Sequence, residues 1–230
     1  MSKARVEKKI VPPQPIVVVA DSTFFKRMFG LCVFRSPHLK KNLYWNEIIY
    51  ETIDVYRRGR YELENMGFTI QAAVLDGRPG VREVFNDIPV QMCQFHQKMI
   101  VNRYLTTRPK LEASIELREI TLGLCKSNEK NFTKALNDWY EKWQDFLKEK
   151  TIDPLTGRWF YTHKRVRSAY RSLKTNLPYL FTYLKYPELN IPNTTNSLDG
   201  SFSQLKELTR IHRGLNKEMK RKVIDEILGK

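Results

Sequence analysis

The sequence predicts an α/β domain built on a mixed β-sheet and interrupted by a long helical insertion. Three observations carry this prediction. Short β-branched or aromatic runs, at residues 16–20, 31–34, 43–49, 68–75 and 89–93, crowd into the first part of the chain. From Gln94 to about Tyr186 that pattern vanishes, and apolar residues recur at helical spacing. Two more helical segments then close the chain. This order gives four segments: 1–15, charged and proline-broken, a disordered tail; 16–93, the first part of the sheet domain; 94–192, an all-helical insertion; and 193–230, the helices that complete the sheet domain.

Each element has its own signal. Ile16-Val17-Val18-Val19-Ala20 reads as a buried strand ending at Asp21. Turn signals at Gly30 and Ser36-Pro37 divide the next two strands. Residues 51–66 place Ile53, Tyr56, Tyr61 and Leu63 among charges, a helix stopped at Met66-Gly67, where glycine is the usual residue just past a helix end. Phe68 to Leu75 is a strand ending at Asp76, and Asp76-Gly77-Arg78-Pro79-Gly80 is a turn into a short helix before a strand at 89–93. Helices follow at 94–105, 110–125, 128–150 and 164–185. Pro187 and Pro192 break the chain, and helices at 196–210 and 216–228 are parted by Arg213-Gly214.

Composition restricts the function. The 230 residues carry 40 Lys and Arg against 25 Asp and Glu, a net charge of +15, so the expected partner is a polyanion. Nucleic acid fits better than a membrane, because no apolar run approaches the roughly 18–20 residues of a spanning helix and no secretory leader follows Met1. Basic residues are spread through helices and loops, which favours a charged groove over a tethering arm. Three cysteines, Cys32, Cys93 and Cys125, imply no disulfide framework and fit a reducing cytoplasm. The sequons at Asn131 and Asn193 should accordingly carry no glycan.

Three aspartates then stand out. Asp21 and Asp76 each follow a β-branched run, and Asp199 follows Thr194-Thr195-Asn196-Ser197-Leu198 at the start of a helix with Asn196 as its expected N-cap. Carboxylates at strand ends face the crevice where open α/β sheets bind ligands, and hard cations such as Mg²⁺ prefer oxygen donors. Such a trio suits displacement at phosphorus. Alone, each aspartate is equally readable as a turn or capping residue. In the last helices Leu198, Phe202, Leu205, Leu208 and His212 form an apolar face, and Asp199, Ser203, Lys206, Arg210 and Arg213 form a separate stripe. Lys206, Arg210 and Arg213, with Lys164, Arg165 and Arg167, are the candidate DNA contacts.

Cys93-Gln94-Phe95-His96 holds a Cys-x-x-His pair, half a zinc site; Cys32, His38, Cys125 and His163 lack the spacing to complete it. A structural role beneath the acidic site, or a phosphate contact from His96, is the better expectation. Trp139, Tyr140, Trp143, Trp159, Tyr161 and Tyr170 read mostly as core, with one or two near Lys164 to Arg167 able to stack on unpaired bases.

The chain resembles bacterial insertion-sequence transposases of the Mutator-like group, a branch of the DDE/D transposases. Three segments carry the likeness: Val17-Val18-Val19-Ala20-Asp21; Val74-Leu75-Asp76-Gly77-Arg78-Pro79-Gly80 with Val90-Gln91-Met92-Cys93-Gln94-Phe95-His96-Gln97; and Thr194-Thr195-Asn196-Ser197-Leu198-Asp199-Gly200 with Leu205-Lys206 and His212-Arg213-Gly214-Leu215. The resemblance implies an RNase H-like core with an all-α insertion and Mg²⁺- or Mn²⁺-dependent cleavage and strand transfer on double-stranded DNA. It also implies a homo-oligomeric assembly in the bacterial cytoplasm at the nucleoid, with Asp21, Asp76 and Asp199 as catalytic metal ligands. The family's third acid is usually Glu, one methylene longer than Asp199. Its members normally carry a DNA-reading domain ahead of the core, whereas twenty residues precede Asp21. The expectation is therefore a transposase core without its reader, the alternative being an impaired form that only binds DNA or joins full-length partners.

Overall fold

A computed structural model describes residues 11–25, 29–211, 214 and 216–229, apart from the side chains of Asp199, Leu208, Thr209, Ile211 and Lys217. Its centre is a mixed five-stranded sheet: β1 (Pro15–Phe25), β2 (Phe29–Ser36), β3 (Lys41–Ile48), β4 (Thr69–Leu75) and β5 (Val90–Met92). The strand order is β3-β2-β1-β4-β5. β1, β2 and β3 form an antiparallel meander, whereas β4 lies parallel to β1 and β5 parallel to β4. The meander needs only tight turns, and each parallel step needs a crossover. Helix α1 (Ile53–Asn65) supplies the first of these, and the 3-10 turn Val81–Phe85 lies in the second.

Alternation within the strands sorts side chains onto two faces. On one face Ile16, Val18, Ala20, Phe34, Ile70, Ala73 and Leu75 pack against Tyr56 and Leu63 of α1. On the other, Val17, Val19, Val33, Ala72 and Val74 pack against Leu198, Phe202 and Leu205 of α7 (Asn196–Ile211) and Ile224 and Leu228 of α8 (Lys217–Leu228). The central strands are therefore apolar on both sides, as a sheet covered on both faces demands.

Between β5 and α7 the chain forms α2 (Gln94–Leu105), α3 (Glu112–Leu122), α4 (Glu129–Lys148), α5 (Lys164–Leu180) and the short α6 (Thr182–Lys185). They share a core of their own, with Leu117, Phe132, Leu136, Trp139, Val166, Leu173 and Phe181 at its centre. A buried polar network joins it to the sheet domain. The Gln91 and Gln94 amides donate to the Leu180 carbonyl at 3.0 and 2.9 Å, and the Thr182 hydroxyl donates to the Val90 carbonyl at 2.7 Å. Each buried polar group is thereby satisfied where the chain passes from strand to helix.

Local chemistry explains the ends of several elements. After α1, Phe68 N–H donates to Leu63 O and Gly67 N–H to Glu64 O, and Gly67 takes φ +84°, the left-handed closure that glycine permits. Asn128 and Asn216 cap α4 and α8, each side chain accepting from the backbone N–H three residues on.

Four expectations need correction. β1 does not end at Asp21: its ladder with β2 runs on to Phe25, because only the parallel partner β4 stops there. Gly30 is no turn. It pairs inside β2, where an added Cβ would lie 2.7 Å from the Phe24 ring, so close approach rather than a bend requires glycine. The insertion is not all-α, since β6 (Lys150–Ile152) and β7 (Trp159–Tyr161) form an antiparallel hairpin between α4 and α5. Both strands are only three residues long, too short for periodicity to register. Finally, the end of the tail is fixed: Gln14 O accepts from Thr69 N, and β1 begins at Pro15, while residues 1–10 lie outside the described ones.

Candidate functional site

Strand register brings two of the three aspartates together. The last paired residues of β1 and β4 are Val19 and Val74. Asp21 and Asp76 each lie two residues further on, so they stand at one level where the two chains part, on strands roughly 4.8 Å apart. By alternation both belong to the face of Val17, Val19, Ala72 and Val74, the face that α7 covers. Asp199 is the residue after Leu198, which is fully buried against that face. The Asp199 side chain, like all of His212 and Arg213, lies outside the described residues.

Backbone bonds orient both carboxylates. Asp21 is 5% exposed, and its Oδ1 accepts from Ser22 N–H at 2.7 Å. Asp76 Oδ1 accepts from Arg78 N–H at 3.0 Å, closing the turn that follows β4. Gly77 in that turn has φ +89°, and a Cβ there would sit 2.3 Å from Met92 Sδ, so glycine is required twice over.

Residues 93–96 and 193–195 complete the surroundings. His96 Nε2 lies 3.9 Å from Asp21 Oδ2. Thr195 N–H donates to Cys93 Sγ at 3.3 Å, and Thr195 Oγ1 lies 3.5 Å from Cys93 Sγ and 3.4 Å from His96 Nδ1. Gln94 N–H donates to Asn193 O at 2.9 Å, and Asn193 Nδ2 donates to Gln94 Oε1 at 3.1 Å. The start of α2 is thus fastened to the segment that leads into α7. With α7 beginning at Asn196, the cap position falls on Thr195 rather than Asn196.

Burial disfavours an imidazolium at His96, but its hydrogen bond with Cys93 and the charges of Asp21, Cys93 and Asp76 outweigh that, and its pKa is pushed up to about 9. Burial likewise works to raise the Cys93 thiol, and hydrogen bonds from His96 and Thr195 more than offset it, drawing the thiol below its ordinary value. A cationic imidazole 3.9 Å from the buried Asp21 carboxylate offers a positive contact to an anion entering the crevice. Among the described residues, which leave out the Asp199 side chain, no three His, Cys, Asp or Glu side chains are grouped to hold a metal ion.

The opposite face of the sheet contributes residues that sequence reasoning missed. Tyr56 O–H donates to Glu51 Oε1 at 2.6 Å and lies 3.4 Å from Ser22 Oγ, while Arg78 Nη1 donates to Glu51 Oε2 at 3.0 Å. Glu51 thereby ties the neighbour of Asp21 to the Asp76 turn from beneath. Its only sequence signal is position, just ahead of an amphipathic helix.

The predicted DNA contacts divide into two groups. Lys206 and Arg210 are exposed on α7, along with Ser203. Near the hairpin, Arg165 donates to Arg103 O at 2.9 Å and Arg167 to Leu147 O at 2.6 Å, so both also brace helices. Lys164 Nζ lies 4.0 Å above the Phe160 ring. Trp139 and Tyr170 are core, as expected, but Trp159 is 56% exposed. No helix of the described residues is long and apolar enough to cross a membrane. No family model matches this chain, and no curated protein matches it.

Proposed function

We propose that this chain is the catalytic core of a DNA transposase, with an RNase H-like fold, that cleaves and joins DNA strands with a divalent metal at Asp21, Asp76 and Asp199. The observation that carries the reading is the shared level and shared sheet face of Asp21 and Asp76, under the helix whose second turn begins near Asp199. The strand order, three antiparallel strands followed by two parallel ones, agrees with that fold.

An oxygen donor set of this kind fits Mg²⁺ or Mn²⁺. When bound, the ion supplies stabilisation of charge developing on the phosphate oxygens. The chain's residues do the rest. Ser22 N–H and Arg78 N–H hold the two carboxylates in orientation, and the His96 imidazolium offers a hydrogen bond to a phosphate oxygen entering beside Asp21. Lys206 and Arg210 neutralise phosphates further along α7, and the net charge of +15 draws duplex DNA to the crevice.

The test is nicking of supercoiled DNA in Mg²⁺ or Mn²⁺. Wild type should nick, and Asp21→Asn and Asp76→Asn should lose the activity while binding DNA as well or better, since each removes a negative charge near phosphate. Nicking at wild-type rates in Asp21→Asn would refute the assignment. Metal-independent binding without any cleavage would instead favour the binding-module reading.

A further inference from the structure

The β6–β7 hairpin contributes no residue to the candidate metal site. In its register Ile152 pairs with Trp159 and Lys150 with Tyr161, so these four side chains share one face. That face is open: Ile152 is 68% and Trp159 56% exposed, and Leu155 at the turn is 94% exposed. Lys150 Nζ lies 4.0 Å from the Trp159 ring centroid, and the Arg167 guanidinium lies 3.6 Å from that of Tyr161. The Trp159 and Tyr161 rings meet edge-on at 5.4 Å.

The hairpin is held firmly. Thr151 and Thr162 hydroxyls meet at 2.8 Å, Thr162 N–H donates to Glu149 O at 3.0 Å, and His163 stacks on Phe146 at 3.5 Å. Asp153 Oδ1 accepts from Leu155 N–H at 2.9 Å, and Gly157 N–H closes onto Asp153 O at 2.8 Å. A two-stranded hairpin is marginal by itself, and more than half of the Trp159 surface still faces solvent despite its cross-strand contacts. Rings held rigidly beside cations suit a ligand that is both flat and anionic.

The geometry points to this hairpin face as a stacking platform for unpaired nucleotides, with Trp159 under the base and Lys150 and Arg167 toward the phosphates. The inference rests on the reading that the chain handles DNA, but not on metal or cleavage. A second copy docked face to face here would set Lys150 and Arg167 against their own counterparts, whereas the phosphates of a nucleotide complement them.

The experiment compares a fluorescein-labelled oligothymidylate with a blunt duplex of equal phosphate count, by anisotropy in EDTA. Trp159→Ala should weaken oligothymidylate binding on the order of 10-fold and leave duplex binding within about 2-fold. Trp159→Phe should retain most of the affinity, and the indole emission quenched by oligothymidylate in wild type should be missing from its spectrum. The unchanged duplex arm reports that the variants are folded. Equal losses on both ligands, or an unchanged oligothymidylate affinity, would overturn the proposal. So would a Trp159-dependent dimer in sedimentation without nucleic acid, or Trp159-dependent binding to anionic vesicles alone. Failure of the nicking test would leave the platform standing, and failure here would leave the metal centre standing.

Discussion

His96 is the residue whose state most depends on the site around it. Its pKa of about 9 lies above its ordinary 6.5, so the folded chain favours the imidazolium. The resulting stabilisation is complete below about 6.5 and is lost as pH rises through about 9. NMR titration of the ring should place its midpoint near 9, and Asp21→Asn should lower it by removing a facing charge. A midpoint at the ordinary value would show that the Cys93 and Asp21 contacts do not form. The thiols offer a separate check. Burial pushes Cys32 up to about 12, whereas Cys125 is only half-buried, so a thiol reagent at neutral pH should label Cys125 in the native state and leave Cys32 untouched. At Gly77, alanine must hold φ +89° against Met92, and a loss of about 1–3 kcal/mol on chemical denaturation is expected.

Among the elements, α7 does the most positioning, since it brings residues near 199 onto the sheet face of Asp21 and Asp76. Its grip is apolar: Leu198 and Leu205 are fully buried and Phe202 nearly so. Leu198→Ala should cost about 2–5 kcal/mol in unfolding free energy, whereas Ser203→Ala, on the exposed stripe, should be close to neutral. Equal, small costs would mean that α7 is not seated as described. These helices were legible in the sequence because their apolar spacing persists over several turns, as in α4 and α5. The strands at Val17 to Val19 and Ala72 to Leu75 were legible as unbroken β-branched or apolar runs. What escaped was set by partners distant in sequence. The continuation of β1 past Asp21 depends on β2, the packing of Gly30 depends on Phe24, and the three-residue strands of the β6–β7 hairpin are too short for alternation to register. The same holds at the site. Asp21 and Asp76 could be picked out from their strands, but Thr195 reaches the site through Cys93, 102 residues away, and Glu51 through Arg78, 27 residues away.

At the scale of the whole molecule, the proposed function draws on a net charge of +15 and on the strand order of the sheet. Binding of duplex DNA by six to ten phosphate contacts predicts a log–log salt slope of roughly −5 to −9; an affinity nearly flat between low and physiological salt would remove the polyanion reading. In the proposed function one divalent ion is shared by three segments far apart in sequence. Replacing Mg²⁺ with Fe²⁺ and adding ascorbate and peroxide generates hydroxyl radicals at the bound ion, which cut the backbone nearby. Cuts are expected to cluster around residues 21, 76 and 199 together, to be suppressed by excess Mg²⁺ and to be abolished in Asp21→Asn. Cuts absent from these segments, or confined to one of them, would contradict it.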